Sequence, residues 1–367
     1  MFLRELTLRN FRNYREQSLT FNKNVNILVG GNAQGKTNLL EAIYCLCTCK
    51  SHRTHRDEEM IFTGKQGFYL KGEFESDEGR FDIELVNLLD GKKRAKFNGK
   101  SVERLSDLIG IAKVVMFSPE SLQIVKGPPA ERRRFLDVLI SQLDRIYLHH
   151  LQSYQAVLKQ RNELLKQIRD GVVDMDLLTI WDEQLLDYGL KVAERRREII
   201  DRITAYAREI HSELSGGESL SLAYLVNGYD ASTVKLKELL TSSLEEAREY
   251  DITRGSTSVG PHRDDMGIYL DGVDARRFCS QGQQRTISLS LRISEYRMIK
   301  DETGEEPLIL LDDVASELDP FRASLLYEML NGINAQIFLT TTHLDEPAIS
   351  GEFDVFDVVE GSVRCRG

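Results

Sequence analysis

A glycine-rich segment between an apolar run and a helical pattern constrains this chain more than any other feature. Residues 30–37 read Gly-Gly-Asn-Ala-Gln-Gly-Lys-Thr, which fits the pattern G-x-x-x-x-G-K-[ST]. The apolar run at 25–29 predicts a buried strand, and the spacing of apolar residues over 38–44 predicts a helix. A strand, a glycine loop and a helix in this order are typical of a nucleotide-phosphate site, because backbone N–H groups and the helix N-terminus attract phosphate oxygens.

The residue types in this loop indicate the chemistry it would support. Gly30 and Gly35 let the backbone curl so that successive N–H groups point at phosphate oxygens. Lys36 is predicted to reach the β- and γ-phosphates and to contribute to catalysis, and the Thr37 hydroxyl is predicted to bind Mg²⁺. A glycine-rich turn that fits the pattern by chance is the alternative. The predicted nucleotide-binding residues are Gly30, Gly31, Asn32, Ala33, Gln34, Gly35, Lys36, Thr37 and Asn38, with Arg12 and Asn13 from an earlier segment.

Composition limits the classes of protein to which the chain can belong. Its 367 residues, 41% of them hydrophobic, are enough for one large domain or two smaller ones. The 48 Lys and Arg against 58 Asp and Glu leave a net charge of −10, so nucleic-acid binding requires a local basic patch. No run of about 18 apolar residues is present, and residues 1–5 do not resemble a signal peptide. We therefore expect a cytoplasmic protein with no membrane partner.

The five cysteines are an odd number, which favours free thiols. Cys45, Cys47 and Cys49 could form a metal site with His52 and His55. Their spacing is not C-x-x-C, however, and they continue the helix predicted after the loop. We interpret them as small packed residues.

Two later apolar runs end in residues suited to phosphate chemistry. Residues 308–311 are followed by Asp312 and Asp313, and the strand-like run 337–342 is followed by His343. Asp312 is predicted to bind Mg²⁺, and Asp313 to orient or deprotonate the attacking water. A lone His after a strand is more often structural. Because this one follows an Asp-Asp strand by a single helix, we assign His343 to the γ-phosphate or the catalytic water.

A second anion-binding cradle is predicted just before a helical pattern that starts near residue 283. It consists of Ser280, Gln281, Gly282, Gln283 and Gln284. One chain would then own two cradles, and the simplest use of both is a head-to-tail dimer with ATP between Lys36 of one subunit and Ser280 of the other. Residues 214–218, Leu-Ser-Gly-Gly-Glu, look more like the signature sequence of ABC ATPases. A strand-like stretch follows them, so we interpret them as a turn.

Patterns of hydrophobicity divide the chain into β-rich, helical and α/β parts. Alternating segments fill the first third, where Asn98-Gly99 predicts a hairpin turn and 111–117 a buried strand. Apolar residues at helical spacing then predict a long helix over 131–167 and a second over 177–210, which form an antiparallel hairpin. The hairpin is either an extended arm or part of a compact lobe, because heptad and 3.6-residue periods are similar over this length.

These patterns predict an α/β fold with an inserted domain. Residues 1–125 and 250–367 are expected to form an ATPase head, and residues 126–249 a helical lobe that carries a short antiparallel helical hairpin.

Several segments together resemble the RecF family of bacterial recombination mediators, which belongs to the ABC/SMC-like ATPases. The resemblance covers nearly the whole chain, and the phosphate loop is the only motif that would suffice alone. The motifs are residues 8–14, 30–37, 51–54, 118–120, 127–137, 260–265, 280–286 and 310–319.

The resemblance implies an ABC-type P-loop ATPase head that binds ATP and Mg²⁺. It implies ATP-dependent dimerisation and ATP-dependent binding of DNA at gaps or double-strand/single-strand junctions, with slow hydrolysis that resets the dimer. It implies cooperation with RecR, and indirectly with RecO and RecA, to load RecA recombinase on gapped DNA. In this family likeness, residues 280–284 correspond to the signature motif that acts in trans, and Asp319 to the D-loop.

Two departures from the pattern of ABC heads concern the site. ABC heads usually carry Glu after the metal-binding Asp, whereas Asp313 is one methylene shorter, which fits slow turnover. No obvious Gln follows the strand predicted at 111–117. Ser118 and Glu120 stand where a contact with metal-bound water is expected, so the residue that makes this contact stays open.

Basic clusters are the candidate DNA contacts on this acidic chain. Residues 195–197, three arginines between two glutamates, are interpreted as a solvated helix face. No base-reading motif is present, so we expect binding to DNA backbone or structure. The predicted DNA-binding residues are Lys92, Lys93, Arg94, Arg132, Arg133 and Arg134.

Two other classes of protein share parts of this pattern. An ATPase subunit of an ABC transporter would share the loop and the Asp-Asp strand but would lack the helical hairpin and the segment 127–137. An ATP-dependent nuclease of the same superfamily would need a further acidic metal domain. The remaining cluster, His262 with Asp264 and Asp265, is interpreted as a loop that re-enters the head, with a metal site as the alternative. DNA-stimulated ATP hydrolysis without strand cleavage would separate these readings.

Overall fold

The computed structural model of the chain describes residues 1–314, 318, 320–343 and 352–366. Asp319, the predicted D-loop residue, lies outside the described residues. By the density of internal contacts, the chain divides into two compact units. The first is Met1–Leu122 with Ser288–Gly367, and the second is Gln123–Ile287. The domains predicted from the sequence have different limits, at 125/126 and 249/250, and those limits stay a prediction.

The first unit contains two six-stranded sheets. The antiparallel sheet consists of β1 (Phe2–Phe11), β2 (Tyr14–Thr20), β4 (Gly67–Ser76), β5 (Gly79–Leu88), β6 (Lys93–Phe97) and β7 (Lys100–Ser101), in the order β2-β1-β4-β5-β6-β7. The second sheet consists of β3 (Val25–Val29), β8 (Val114–Phe117), β13 (Leu308–Leu311), β14 (Ile337–Thr341), β15 (Phe353–Val359) and β16 (Ser362–Cys365), in the order β16-β15-β3-β14-β13-β8. Asn98 and Gly99 form the predicted turn between β6 and β7, both with positive φ.

The second sheet places the C-terminal ends of its central strands at one edge. Strands β3, β14 and β13 are adjacent and parallel, and all residues of β3 and β13 are buried, as expected for parallel strands covered on both faces. The 30–37 loop follows β3, the acid pair follows β13, and His343 lies just after β14. Because parallel strands end on the same side, the sheet positions these segments as neighbours.

Helices make up most of the second unit. The helices in the described part of the chain are α1 (Lys36–Thr48), α2 (Gln123–Lys126), α3 (Pro129–Leu143), α4 (Arg145–Arg169), α5 (Leu178–Ser215), α6 (Leu236–Arg254), α7 (Ala275–Phe278), α8 (Gln281–Thr303) and α9 (Pro320–Asn331), with short 3₁₀ helices at Asp57–Met60, Leu105–Leu108, Pro119–Leu122 and Met175–Leu177. The second unit also has an antiparallel sheet, in the order β10-β9-β11-β12, formed by β9 (Leu220–Val226), β10 (Tyr229–Asp230), β11 (Asp265–Leu270) and β12 (Val273–Asp274). Within the described part of the chain, none of the helices combines the length and apolarity needed to cross a bilayer.

The predicted hairpin is formed by α4 and α5. Arg161 binds Asp182 and Tyr147 contacts Arg196, so partners run in opposite order along the two helices. Helix α6 packs on both of them. The hairpin is therefore part of a compact helical lobe.

The prediction of one continuous helix over 131–167 is wrong, because the chain breaks at Asp144. This residue has an extended backbone, and its carboxylate accepts hydrogen bonds from the N–H groups of Ile146 and Tyr147, at 2.9 and 3.0 Å. It thus caps α4 and separates it from α3. A side-chain acceptor before a new helical turn competes well with helix continuation. The second predicted helix is confirmed and extends to Ser215, followed by the predicted turn at Gly216, whose φ is +79°.

Arginines hold the second unit together from inside. The interpretation of residues 195–197 as a solvated face is wrong for Arg196, which is 2% exposed. Its guanidinium binds the Asp137 carboxylate at 2.8 Å and the Pro261 carbonyl oxygen at 2.6 Å. Arg161 is fully buried and binds Asp251 at 2.8 Å. Buried charges are tolerated here because each one is paired and hydrogen-bonded.

We expect Arg161→Met to lower the free energy of unfolding of the second unit by about 3–5 kcal/mol, because the buried carboxylate of Asp251 would lose its cation. Urea unfolding followed by the fluorescence of Trp181, the only tryptophan, measures this. Lys159→Met is the matched control, since Lys159 is exposed on the same helix. A loss of less than about 1 kcal/mol, as is usual for surface positions, would contradict the expectation.

Candidate functional site

The 30–37 loop lies between β3 and α1, as the sequence predicts. Two of its glycines are required by close approach of other atoms. A Cβ at Gly30 would lie 2.3 Å from the carbonyl oxygen of Val358. A Cβ at Gly35, whose φ is +121°, would lie 2.7 Å from Asn13 Nδ2. The loop therefore presents backbone rather than side chains along its inner surface, which suits a phosphate ligand.

The ammonium group of Lys36 lies within this loop. It donates hydrogen bonds to the carbonyl oxygens of Gly30 and Gly31, at 2.6 and 2.8 Å. Burial lowers the pKa of Lys36, while the negative charges of Asp313 and Asp312 act in the opposite direction. The predicted phosphate-binding cation thus lies close to both members of the acid pair.

The two predicted metal ligands, Thr37 and Asp312, are in direct contact. Asp312 Oδ1 accepts hydrogen bonds from the hydroxyls of Thr37 and Thr340, both at 2.9 Å, and Asp312 is buried. Burial raises the pKa of Asp312, and the two hydroxyl hydrogen bonds oppose this rise. A nearby cation stabilises a buried carboxylate, and carboxylate and hydroxyl oxygens are donors that Mg²⁺ prefers. The residues present therefore fit a Mg²⁺ ion.

The predicted catalytic residues Asp313 and His343 follow the adjacent strands β13 and β14. Asp313 has a left-handed backbone, with φ +51°, and its N–H donates to the Thr340 hydroxyl at 2.9 Å. The same hydroxyl therefore holds both acidic residues. His343 is exposed, and its carbonyl oxygen accepts a hydrogen bond from Thr341 Oγ1 at 2.8 Å. The catalytic roles of Lys36, Asp313 and His343 stay predictions.

Polar side chains from outside the loop fix its shape. Asn13 Nδ2 donates to the Gln34 carbonyl oxygen at 2.9 Å, and Asn38 Nδ2 donates to Asn13 Oδ1 at 2.8 Å. The Tyr14 hydroxyl donates to the Gly35 carbonyl oxygen at 2.9 Å. The β1–β2 turn thus supports the loop directly, which gives Asn13 a structural role beside its predicted contact with nucleotide.

Sequence reasoning missed a buried ionic cluster next to the loop. Glu41 is fully buried, and its carboxylate accepts two hydrogen bonds from Arg12, both at 2.7 Å, and one from Ser51 at 2.5 Å. Arg53 lies 3.6 Å from the same carboxylate and donates to Asn38 Oδ1 at 3.0 Å. Arg12, predicted to bind nucleotide, is therefore engaged with Glu41. The sequence feature that could have indicated this cluster is a carboxylate within an otherwise apolar stretch of α1.

The segment after β8 approaches the acid pair. Besides burial, the negative charge of Glu120 raises the pKa of Asp312. The Ser118 N–H donates to the Ser121 hydroxyl at 3.3 Å. Glu120 thus lies close enough to Asp312 to influence its charge, and the residue that contacts metal-bound water stays open.

The predicted signature segment starts α8 in the second unit. The Ser280 hydroxyl accepts a hydrogen bond from the Gln283 N–H at 3.2 Å, and Gln283 Oε1 accepts one from the Ser280 N–H at 2.9 Å. This reciprocal pair is a capping box. Ser280, Gln281 and Gly282 are exposed, so they are accessible to another molecule.

The first group of predicted DNA-binding residues lies on the hairpin of β5 and β6. Lys92 and Arg94 are exposed. Lys93 is half-buried and pairs with Asp57 at 2.7 Å. This ion pair joins the hairpin to the segment that follows α1.

The prediction that Arg132 binds DNA is wrong. Arg132 is 4% exposed, and two of its nitrogens bind the Asp265 carboxylate at 2.7 and 2.8 Å. A guanidinium enclosed in this way has no surface to offer to a phosphate. Arg133 and Arg134 are half-buried, and Arg133 also donates to the carbonyl oxygen of Asp264 at 2.8 Å.

Comparison with known proteins shows the family of this chain. A family model described as the RecF/RecN/SMC N terminal domain matches residues 2–352. Two proteins named DNA replication and repair protein RecF, from Halalkalibacterium halodurans and Streptococcus uberis, are 41% and 42% identical to this chain, with full coverage of both sequences in each pair. The chain belongs to the RecF family.

Solved structures support the same family and its fold. Two structures described as the recombination mediator protein RecF in the RecFOR pathway, one as RecF-ATP and one as RecF-ATPrS, are 35% identical to this chain. They cover 100% of it and 98% of their own chains, with TM-scores of 0.93 and 0.90. An Smc head domain from Pyrococcus furiosus, 17% identical with a TM-score of 0.57, shares the fold alone. The predicted α/β fold, an ABC-type ATPase head with a helical lobe, is confirmed.

The acid and histidine cluster of this RecF-family chain has separate partners within the second unit. His262 Nδ1 lies 2.6 Å from the Tyr154 hydroxyl oxygen. Asp264 Oδ2 accepts a hydrogen bond from the Tyr224 hydroxyl at 2.5 Å, whereas Asp265 binds an arginine. The loop was expected to re-enter the head, but it lies in the second unit. In the part of the chain that the structure describes, no group of three or more His, Cys, Asp or Glu could hold a metal ion.

Burial shifts the pKa values of His262 and Asp264 in opposite directions. It lowers the pKa of His262 to about 4, against the hydrogen bond to Thr257, and raises the pKa of Asp264 to about 6, against the hydrogen bond from Tyr224. The stability contributed by neutral His262 is complete above about pH 6.5 and is lost as the pH falls through 4. The stability contributed by protonated Asp264 is complete below about pH 3.9 and is lost as the pH rises through 6.

We expect His262→Gln and Asp264→Asn to change the acid dependence of stability with opposite signs. Between about pH 6.5 and 4, Asp264→Asn should lose stability more steeply than the unchanged chain, and His262→Gln less steeply, by up to about 1.4 kcal/mol per pH unit. Urea unfolding at a series of pH values, followed by Trp181 fluorescence, measures both slopes. Three parallel pH profiles would contradict this assignment.

Proposed function

We propose that the chain is an ATP-dependent DNA-binding protein of recombinational repair, with ATP and Mg²⁺ bound at the 30–37 loop. The observation that carries this proposal is the 2.9 Å contact between Thr37 and Asp312, which brings a hydroxyl and a carboxylate together beside a phosphate-binding loop. The names of the similar proteins support it, since they describe RecF as a DNA replication and repair protein and as RecF-ATP.

We propose that the bound ATP is hydrolysed slowly. Lys36 would bind the β- and γ-phosphates, and Asp313 would accept a proton as water attacks the γ-phosphorus and the bond to the bridging oxygen breaks. His343 would contact the water or the γ-phosphate. A Mg²⁺ ion held by Thr37 and Asp312 would neutralise negative charge on the phosphates. A carboxylate one methylene shorter than Glu reaches less far, which supports weak hydrolysis that acts as a conformational switch.

A second copy of the chain completes the proposed site. Residues 280–282 are exposed, and the neighbouring Phe278 is 71% exposed. Large exposed aromatic side chains are enriched at protein interfaces. We propose that ATP binding joins two copies head to tail, so that Ser280 of one faces the nucleotide held by Lys36 of the other.

The proposed DNA surface lies on the first unit. It consists of exposed basic residues from the segment after α1 and from the β5–β6 hairpin. The ion pair between Lys93 and Asp57 joins these two segments. These residues are Lys50, Arg56, Lys92, Arg94 and Lys96. Clustered lysine and arginine contact DNA phosphates without reading bases, which fits recognition of structure rather than sequence.

The proposed cellular role is to help load RecA recombinase on gapped DNA together with RecR and RecO. The family resemblance supports this role, and two solved RecF structures are described as belonging to the RecFOR pathway. RecR is the proposed direct partner.

We expect ATP to shift the chain from monomer to dimer in sedimentation. Lys36→Ala should abolish the shift because it removes the phosphate-binding cation, and Ser280→Arg because it blocks the partner's cradle. Lys65→Ala, a change at an exposed lysine of the same unit, should behave like the unchanged chain. A monomer under all conditions would overturn the proposed dimer.

We expect the double variant Lys92→Glu/Arg94→Glu to weaken DNA binding at least about tenfold. It should also reduce the slope of log affinity against log salt by about 2, one for each lost phosphate contact. The control Lys235→Glu/Lys237→Glu makes the same change in charge at exposed positions of α6 and its N-cap. Equal affinities and slopes for both variants would remove the hairpin from the DNA surface.

A further inference from the structure

The signature-like turn at 214–218 contacts the predicted signature segment itself. Glu218 Oε1 accepts a hydrogen bond from Gln283 Nε2 at 2.7 Å, although the two residues are 65 positions apart. Both residues belong to the second unit. The sequence interpretation of 214–218 as a mere turn therefore leaves the role of its glutamate unexplained.

This hydrogen bond determines which way the Gln283 amide points. The amide has one acceptor oxygen and one donor nitrogen, and its oxygen accepts from the Ser280 N–H at 2.9 Å. An ionised carboxylate can only accept hydrogen bonds, so Glu218 requires the nitrogen on its side. Glu218 thus keeps the amide oxygen facing Ser280, which closes the capping box.

Glu218 is itself held on both sides. Its N–H donates to the Ser215 hydroxyl at 3.0 Å, at the end of α5. The N–H of the next residue, Ser219, donates to the Asp271 carboxylate, and the Ser219 carbonyl oxygen accepts from the Asp271 N–H, both at 2.9 Å. The carboxylate is therefore presented from a fixed turn rather than from a freely moving surface loop.

The long helix α5 reaches this contact through a buried side chain. His211 is 0% exposed, and its Nε2 lies 3.4 Å from Glu218 Oε2. The two carboxylate oxygens of Glu218 thus face different elements, one the end of α5 and the other the start of α8. A displacement of α5 at its C-terminal end would move the partner of Gln283.

We propose that Glu218 is a positioning residue for the signature segment, which fixes Ser280 through the Gln283 amide and connects this segment to helix α5. The proposal rests on the proposed ATP-dependent dimer, because only there does Ser280 face a nucleotide. In that dimer, Glu218 never touches ATP. It sets the direction in which the Ser280 hydroxyl and the first N–H groups of α8 point.

The test uses the full chain and three variants. Glu218→Ala removes the acceptor, and Glu218→Gln restores an acceptor oxygen without the charge. The control Glu213→Ala removes a carboxylate from an exposed position near the C-terminal end of α5. Two properties are measured: amide hydrogen exchange at residues 280–283 without nucleotide, and the dimer dissociation constant in the presence of ATP. The affinity of the monomer for a fluorescent ATP analogue is measured in parallel.

For Glu218→Ala, we expect amide exchange at residues 280–283 to accelerate about five- to tenfold, as for a lost helix cap. The ATP-dependent dimer should weaken by a similar factor, with unchanged affinity for the ATP analogue. Glu218→Gln should restore both properties, and Glu213→Ala should change neither. If Glu218 only stabilised the lobe, Glu218→Gln would not restore both amide exchange and dimerisation while the affinity for the ATP analogue stayed unchanged.

Two results would overturn the proposal. Unchanged exchange in Glu218→Ala would show that the carboxylate does not hold the capping box. Faster exchange with an unchanged dimer constant would show that the position of Ser280 does not affect assembly. If the unchanged chain did not dimerise with ATP, the proposed function would fail, and the exchange measurement would still decide whether Glu218 positions the segment.

Discussion

The hydrogen bond between Thr37 and Asp312 joins two segments that are 275 positions apart in the sequence. It forms only if β3 and β13 lie in one sheet, separated by the single strand β14, which contributes the Thr340 hydroxyl to the same carboxylate oxygen. The parallel strands β3, β14 and β13 of this sheet thus bring three strand ends together. Because the carboxylate is buried, the contact also creates a preference for a cation, which links the fold of the sheet to the chemistry of its edge.

The parts of the site that the sequence predicts are those encoded by neighbouring residues. The glycines, Lys36 and Thr37 occupy fixed spacings between one strand and one helix, so local pattern is sufficient. Asp312 was predictable because an apolar run that ends in a carboxylate is a local feature as well. The burial of Glu41 could be suspected from its apolar surroundings in α1, but its partners could not be predicted, because they come from the β1–β2 turn and from the segment after α1, and no spacing in the sequence connects them.

The limit of prediction from local sequence patterns is clearer still in the second unit. Sequence patterns assign arginines to the surface, since a charged side chain is rarely buried without a partner. Arg196 and Arg132 are buried because Asp137 and Asp265, which lie 59 and 133 positions away, bind their guanidinium groups. The break at Asp144 has a different cause: a side-chain cap outweighs a helical pattern of apolar residues that continues across it. Long-range pairing and capping, rather than periodicity, therefore decide where these residues lie.

The division of the chain has a consequence for how the protein is made. The second unit is one uninterrupted stretch, so all of its residues are synthesised before Ser288. The first unit is interrupted, and β3 must wait for β13, β14 and β15 from the end of the chain. The glycine loop is therefore synthesised early, whereas Asp312, whose carboxylate contacts Thr37, is synthesised late. During this interval the nascent apolar strand β3 lacks its sheet neighbours, and unpaired apolar strands of this kind are prone to aggregate.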